Sequence, residues 1–143
     1  MVGRASGRLR LCLVKRMWAA SLIGFVAAVT RPGAHVSTDE WGAYAGLPAR
    51  GRLHAAVHHG GARRGDRREW ARDDDGDGIR EVHCNTLEGI WSGLRTYLRP
   101  FRGVSKWHLA GYLAVFQWNY NHREPNPAFL RVLLGCLNTD LGT

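Results

Sequence analysis

The chain has 143 residues, with twenty Lys and Arg against twelve Asp and Glu, a formal net charge of +8 and a sequence pI of about 10.3. That length suits one domain with a modest core, and the charge favours a polyanionic partner whose counterions are released on binding. Cys12, Cys84 and Cys136 are widely spaced with no CxxC pair, which argues against a disulfide framework or a cysteine zinc site and makes a reduced, intracellular setting the expectation.

Residues 8–14 alternate basic and apolar side chains, with Leu9, Leu11 and Leu13 on one face, as in a half-buried strand. Residues 18–29 follow as a helix in which Trp18, Leu22, Phe25 and Val29 form a stripe able to cover a sheet. Arg31-Pro32-Gly33 ends it. Residues 17–29 lie behind Arg8, Arg10, Lys15 and Arg16 and also have the outline of a signal peptide. They are too short to span a bilayer, and the sheet-covering helix accounts for more of the pattern.

Residues 35–38 read as a second strand with Asp39 at its carboxyl end. Strand, helix and strand of these lengths suggest a parallel crossover, whose strand ends are where sites collect. Trp41, Tyr44 and Leu47 fit a short helix closed by Pro48, and residues 53–57 a further strand. Over residues 60–78 the chain turns polar: Arg63, Arg64, Arg67, Arg68 and Arg72 precede Asp73, Asp74, Asp75 and Asp77. A solvated loop or insertion (60–82) is the plain reading, and arginine contacts to DNA phosphate the sharper one. Asp73, Asp75, Asp77 and Gly78 match positions one, three, five and six of a calcium loop, but position twelve is Cys84 rather than Glu, which argues against calcium.

Asn85 opens the clearest helix. Leu87, Ile90, Trp91, Leu94 and Leu98 make its apolar stripe, and Glu88, Ser92, Arg95 and Arg99 its polar one. Asn85 as N-cap with Glu88 at the third position reads as a capping box. Glu88 and Arg95 are seven residues apart and return to within about 20° of the same face. Ser105 is a suitable N-cap for a long helix to residue 121, with Leu109, Tyr112, Leu113, Phe116 and Tyr120 inward. Pro125 stops it, and residues 126–134 form a last short helix before Gly135.

Four blocks then carry a resemblance: Val36-Ser37-Thr38-Asp39-Glu40-Trp41-Gly42-Ala43-Tyr44, His83-Cys84-Asn85-Thr86-Leu87-Glu88-Gly89-Ile90-Trp91-Ser92, Val104-Ser105-Lys106-Trp107-His108-Leu109, and Phe116-Gln117-Trp118-Asn119-Tyr120-Asn121. In this order they resemble the catalytic domain of bacterial insertion-sequence transposases, nearest the ISXO-like transposase domain of the DDE superfamily, over residues 7–135. The resemblance implies an α/β, ribonuclease-H-like mixed sheet flanked by helices, in one partial domain over residues 1–143. It also implies a two-metal Mg²⁺ or Mn²⁺ site on three acidic side chains. Asp39 matches the second of these and Glu88 the third, while Arg95 stands where a basic residue, commonly Lys, contacts DNA. The implied substrate is DNA, at element ends and target, rather than a small molecule; the implied setting is the bacterial cytoplasm at the nucleoid, with no membrane.

Residues 1–38 contain no Asp or Glu, so the carboxylate that the family carries on its first strand has no counterpart. The expectation is an N-terminally truncated domain lacking its first strands, inactive alone, with an exposed sheet edge prone to association with another copy. The alternative is a non-catalytic basic remnant that binds DNA, and a third reading is a small secreted protein.

Overall fold

The structure is a computed structural model that describes residues 1–58, 69–123, 131 and 134. Among these, the chain runs through α1 (Ala19–Val29), β1 (His35–Asp39), β2 (Leu53–Val57), β3 (Ala71–Arg72), β4 (Val82–His83), α2 (Asn85–Leu98) and α3 (Leu109–Asn121). It is mixed α/β. β1 and β2 pair in parallel, from His35 opposite Leu53 to Asp39 opposite Val57, and β3 pairs antiparallel with β4. β4 lies against the first pair. The expected helix at 126–134 falls outside the described residues apart from Arg131 and Leu134, as do Arg63, Arg64, Arg67 and Arg68.

The β1–β2 pair begins at two glycines. Gly33 donates its N–H to the Gly51 carbonyl at 2.7 Å, and both have positive φ, 80° and 70°, a conformation open to residues without a Cβ. From there Val36 and Thr38 point to one face and are buried, as the period of two requires. Val57 is fully buried at the far end of β2.

α1 covers this pair, though not with the expected stripe. Val26 is buried against Val36 and Leu47, with Ile23, Tyr44 and Met1 packed around them, while Trp18 is exposed. The helix is apolar almost all round, AASLIGFVAAV, so periodicity could not choose the buried side. The chemistry around α1 did. Gly46 admits Ile23, whose Cδ1 would stand 2.7 Å from any added Cβ.

The carboxyl end of α1 is tied to the sheet by Arg52, which is buried at 8% exposure. Its Nη2 donates to the carbonyls of Ala27 at 2.8 Å and Thr30 at 2.7 Å. Its Nε donates to Thr30 Oγ1 at 3.1 Å, and its Nη1 to the Arg50 carbonyl. The last carbonyls of a helix lack partners within the helix and carry partial negative charge. Arg52 supplies both donors and countercharge from the residue before β2.

Residues 8–14 are extended but form no ladder. Leu9 makes an isolated bridge with Val2. Its N–H donates to Asn121 Oδ1 at 2.7 Å, and Asn121 Nδ2 donates back to the Leu9 carbonyl at 3.0 Å; the Leu11 N–H donates to Gln117 Oε1 at 2.6 Å. Two amides on α3 thus take the place of a neighbouring strand. Leu9 is fully buried, Leu11 partly, and Leu13 is exposed, so the expected inward face fades along the segment.

Two helix starts also differ from expectation. Cys84 occupies the N-cap of α2 with no side-chain cap bond, so no Asn85–Glu88 capping box forms. Ser105 caps a preceding turn, accepting the Trp107 N–H at 3.4 Å and giving its carbonyl to the N–H groups of His108 and Leu109; α3 proper starts four residues later.

Replacing Arg52 by Ala leaves three carbonyls and a hydroxyl without their buried donor. Loss of about 2–4 kcal/mol of stability is expected in denaturant titrations, by the usual cost of breaking charged hydrogen bonds in the interior.

Candidate metal and nucleic-acid site

Asp39 ends β1, and one of its oxygens accepts the Trp41 N–H at 3.3 Å. Its backbone is fixed by a relay from β2: His54 Nε2 lies 2.8 Å from Thr38 Oγ1, which donates at 2.7 Å to the Asp39 carbonyl. A hydroxyl has one proton to give, so the His54 Nε2 carries a hydrogen and donates. Burial lowers the pKa of His54, which keeps it neutral for this role. Glu40, the next residue, faces His58 at 3.8 Å.

Glu88 stands in the first turn of α2, far from Asp39 in sequence. The Cys84 thiol joins them. It is pushed up to about 11, first by burial and then by the negative charges of Asp39 and Glu88, with Glu40 adding to them and Arg4 opposing. Tyr44 is likewise raised by burial and by Asp39. The two carboxylates therefore share one electrostatic neighbourhood, centred on a thiol that stays protonated at neutral pH. Arg4 reaches the same place from the amino-terminal hairpin, its Nη2 donating to the His83 carbonyl at 3.4 Å.

Arg95 lies two turns along α2 from Glu88, roughly 10 Å along the axis. It is exposed on the same polar side as Glu88, Ser92 and Arg99. It is not among the charges acting on Cys84.

Asp39 and Glu88 each offer hard oxygen donors of the kind a divalent cation takes. Both are exposed carboxylates, and magnesium is commonly held by one or two such groups with water and phosphate completing its shell. The neutral thiol between them is a poor competitor as ligand, since thiolate is the binding form.

A second acidic group was hidden by the position-twelve argument. Asp73, Asp75 and Glu81 bring ligand atoms within 4.8 Å of one another, and it is the one group of three or more potential metal ligands among the described residues. Asp73 accepts the N–H groups of Gly76 at 2.6 Å and Gly78 at 2.8 Å, which hold its carboxyl below the usual range. Glu81 accepts the Asp74 N–H at 2.9 Å. Glu81 is ninth in the loop pattern, a position the spacing would have disclosed. Within the polar loop expected over residues 60–82, two short strands pair, so that β3 and β4 close residues 71–83 into a hairpin.

Between α2 and α3 lies a cavity of about 540 Å³, lined by Gly89, Gly93, Tyr97, Phe116 and Tyr120 among others. Phe116 and Tyr120 were expected on the inward side of the long helix; among the described residues none of α3 is fully buried.

The chain matches the ISXO2-like transposase domain over residues 1–121 and belongs to that family, a family of insertion-sequence transposases. It is also similar to an uncharacterised protein in transposable element ISH50 of Halobacterium salinarum, with 39% identity over 69 residues, covering 47% of this chain and 24% of that protein. The chain spans about a quarter of the length of that relative. No solved structure matches. Among the described residues no helix is long and apolar enough to cross a membrane.

Two outcomes are expected. Asp39→Asn and Glu88→Gln each remove a negative charge that raises the Cys84 pKa, so alkylation of Cys84 at pH 9, followed by mass spectrometry, becomes faster, more so for Asp39→Asn. For His54, a folded pKa below the unfolded value of about 6.5 means that the unfolded chain takes up the proton first. Its contribution is complete above pH 6.5 and is lost as pH falls, so the melting temperature declines below that pH and His54→Gln flattens part of the decline; His83, also lowered, acts in the same direction.

Proposed function

We propose that this chain forms part of a transposase catalytic centre acting on DNA, in a ribonuclease-H-like arrangement, with Asp39 and Glu88 as carboxylates of the metal site. The observation that carries this reading is the placement of two exposed carboxylates, Asp39 at the carboxyl end of β1 and Glu88 in the first turn of α2, the helix that follows β4, a strand lying against β1. Membership of the transposase family supports it, as does the net charge of +8.

In this reading Asp39 and Glu88 hold a magnesium- or manganese-type ion, which supplies Lewis acidity at a phosphoryl oxygen when bound. The His54–Thr38 relay keeps the Asp39 backbone in place at the end of β1. Protonated Cys84 adds no negative charge beside an incoming phosphate. Arg95 takes a neighbouring DNA phosphate through its planar guanidinium, which matches phosphate in a bidentate manner. The protein then works at the nucleoid in the cytoplasm, on element ends and target DNA.

Two carboxylates hold two cations weakly, so these 143 residues alone are expected to bind DNA without cutting it. Incubation with Mg²⁺ or Mn²⁺ and a labelled duplex tests this. Binding that weakens steeply with salt is expected, its logarithmic slope reduced by about one in Arg95→Ala. Metal-dependent nicking abolished by Asp39→Ala overturns the inactivity, and absence of any DNA binding overturns the reading itself.

A further inference from the structure

The cavity between α2 and α3 is built around two glycines in the middle of a helix. Glycine is the poorest helix former after proline, and a mid-helix glycine normally marks a close contact or a functional demand. Among the described residues neither position is crowded. A Cβ on Gly89 would meet nothing within 4 Å, and one on Gly93 would meet only Phe116 Cζ at 3.9 Å. What the glycines provide is the space itself, about 540 Å³, within the usual range of ligand sites.

The walls of that space are aromatic. Tyr97 and Phe116 lie with ring centroids 5.5 Å apart and planes tilted by 47°, and Phe116 and Tyr120 follow at 6.5 Å. Arg123 closes the end, its guanidinium carbon 3.5 Å from the Tyr120 ring centre and its Nε donating to the Tyr120 carbonyl at 3.0 Å. Asn119 brings an exposed amide to the rim. Flat apolar faces, a group that both donates and accepts, and a cation at the mouth together match a nucleobase with its phosphate. The floor begins at Gly89, the residue after Glu88.

We propose that this cleft receives a single unpaired nucleotide of DNA, its base against Tyr97 and Phe116 and its phosphate toward Arg123. The proposal rests on the DNA reading above and adds to it a site for a base outside the duplex, beside the helix that carries Glu88. A side chain at Gly89 or Gly93 would intrude on the place of the base.

The test compares a short blunt duplex with the same duplex bearing one unpaired 2-aminopurine nucleotide at a 3′ end, by equilibrium binding and by the fluorescence of that base. Stacking on aromatic rings should favour the overhang by about tenfold and quench the 2-aminopurine. Gly93→Ala should raise the melting temperature by about 2–4 °C and bring the ratio of the two affinities toward one, as should Arg123→Ala without the gain in stability. Equal affinity for blunt and overhanging DNA in the natural chain overturns this proposal and leaves the DNA reading standing; no affinity for either overturns both. A Gly93→Ala chain that keeps the full preference also overturns it. So does one whose sedimentation changes in the absence of DNA, which would assign the cleft to a second copy of the chain.

Discussion

The guanidinium of Arg52 holds together the parts from which the rest of the molecule is built. Among the described residues its hydrogen-bond partners are the Ala27 and Thr30 carbonyls and the Thr30 hydroxyl at the end of α1, together with the Arg50 carbonyl just before β2. Burying a charge without such partners costs far more than folding of a small domain can supply. Arg52 can therefore stay inside only while α1 ends where it does and β2 starts beside it. That fixes α1 over β1 and β2, places Val26 against Val36 and Leu47, and sets the register that brings Asp39 level with Val57.

From this anchor the acidic site follows by short steps. Parallel pairing carries β1 to its carboxyl end at Asp39, and the His54–Thr38 relay secures that end. β4 then delivers the chain to Cys84 and the first turn of α2, where Glu88 stands. There burial, with Asp39 and Glu88 adding to it, pushes the Cys84 thiol up to about 11. The site depends on packing some distance away, and damage to α1 should reach it without touching either acid.

Much of this order was legible in the residues. The limits of β2 were readable to the residue and those of β1 nearly so, because LHAAV and HVSTD are short and each begins two residues after a glycine, Gly51 and Gly33. The polar side of α2 was equally plain. What could not be read was set by contacts between distant parts. The inward side of α1 depended on Gly46 and Arg52, because the helix itself offers apolar residues in every direction. Residues 8–14 alternate like a strand, yet their partners are the amides of Gln117 and Asn121, which no local period can announce. The Asp73, Asp75 and Glu81 group was within reach of spacing, but attention to the twelfth position concealed the ninth.

The clasp between Asn121 and Leu9 has a temporal consequence. The two residues are separated by 112 positions, so contacts of this kind raise the mean sequence separation that slows folding. On the ribosome the extended segment around Leu9 emerges well before its amide partner Asn121, which follows 112 positions later. Leu9, fully buried once folding is complete, spends that interval with an apolar side chain and a free backbone edge in water. A segment held this way is secured long after it is made, and the interval between is when it is most open to association with other chains.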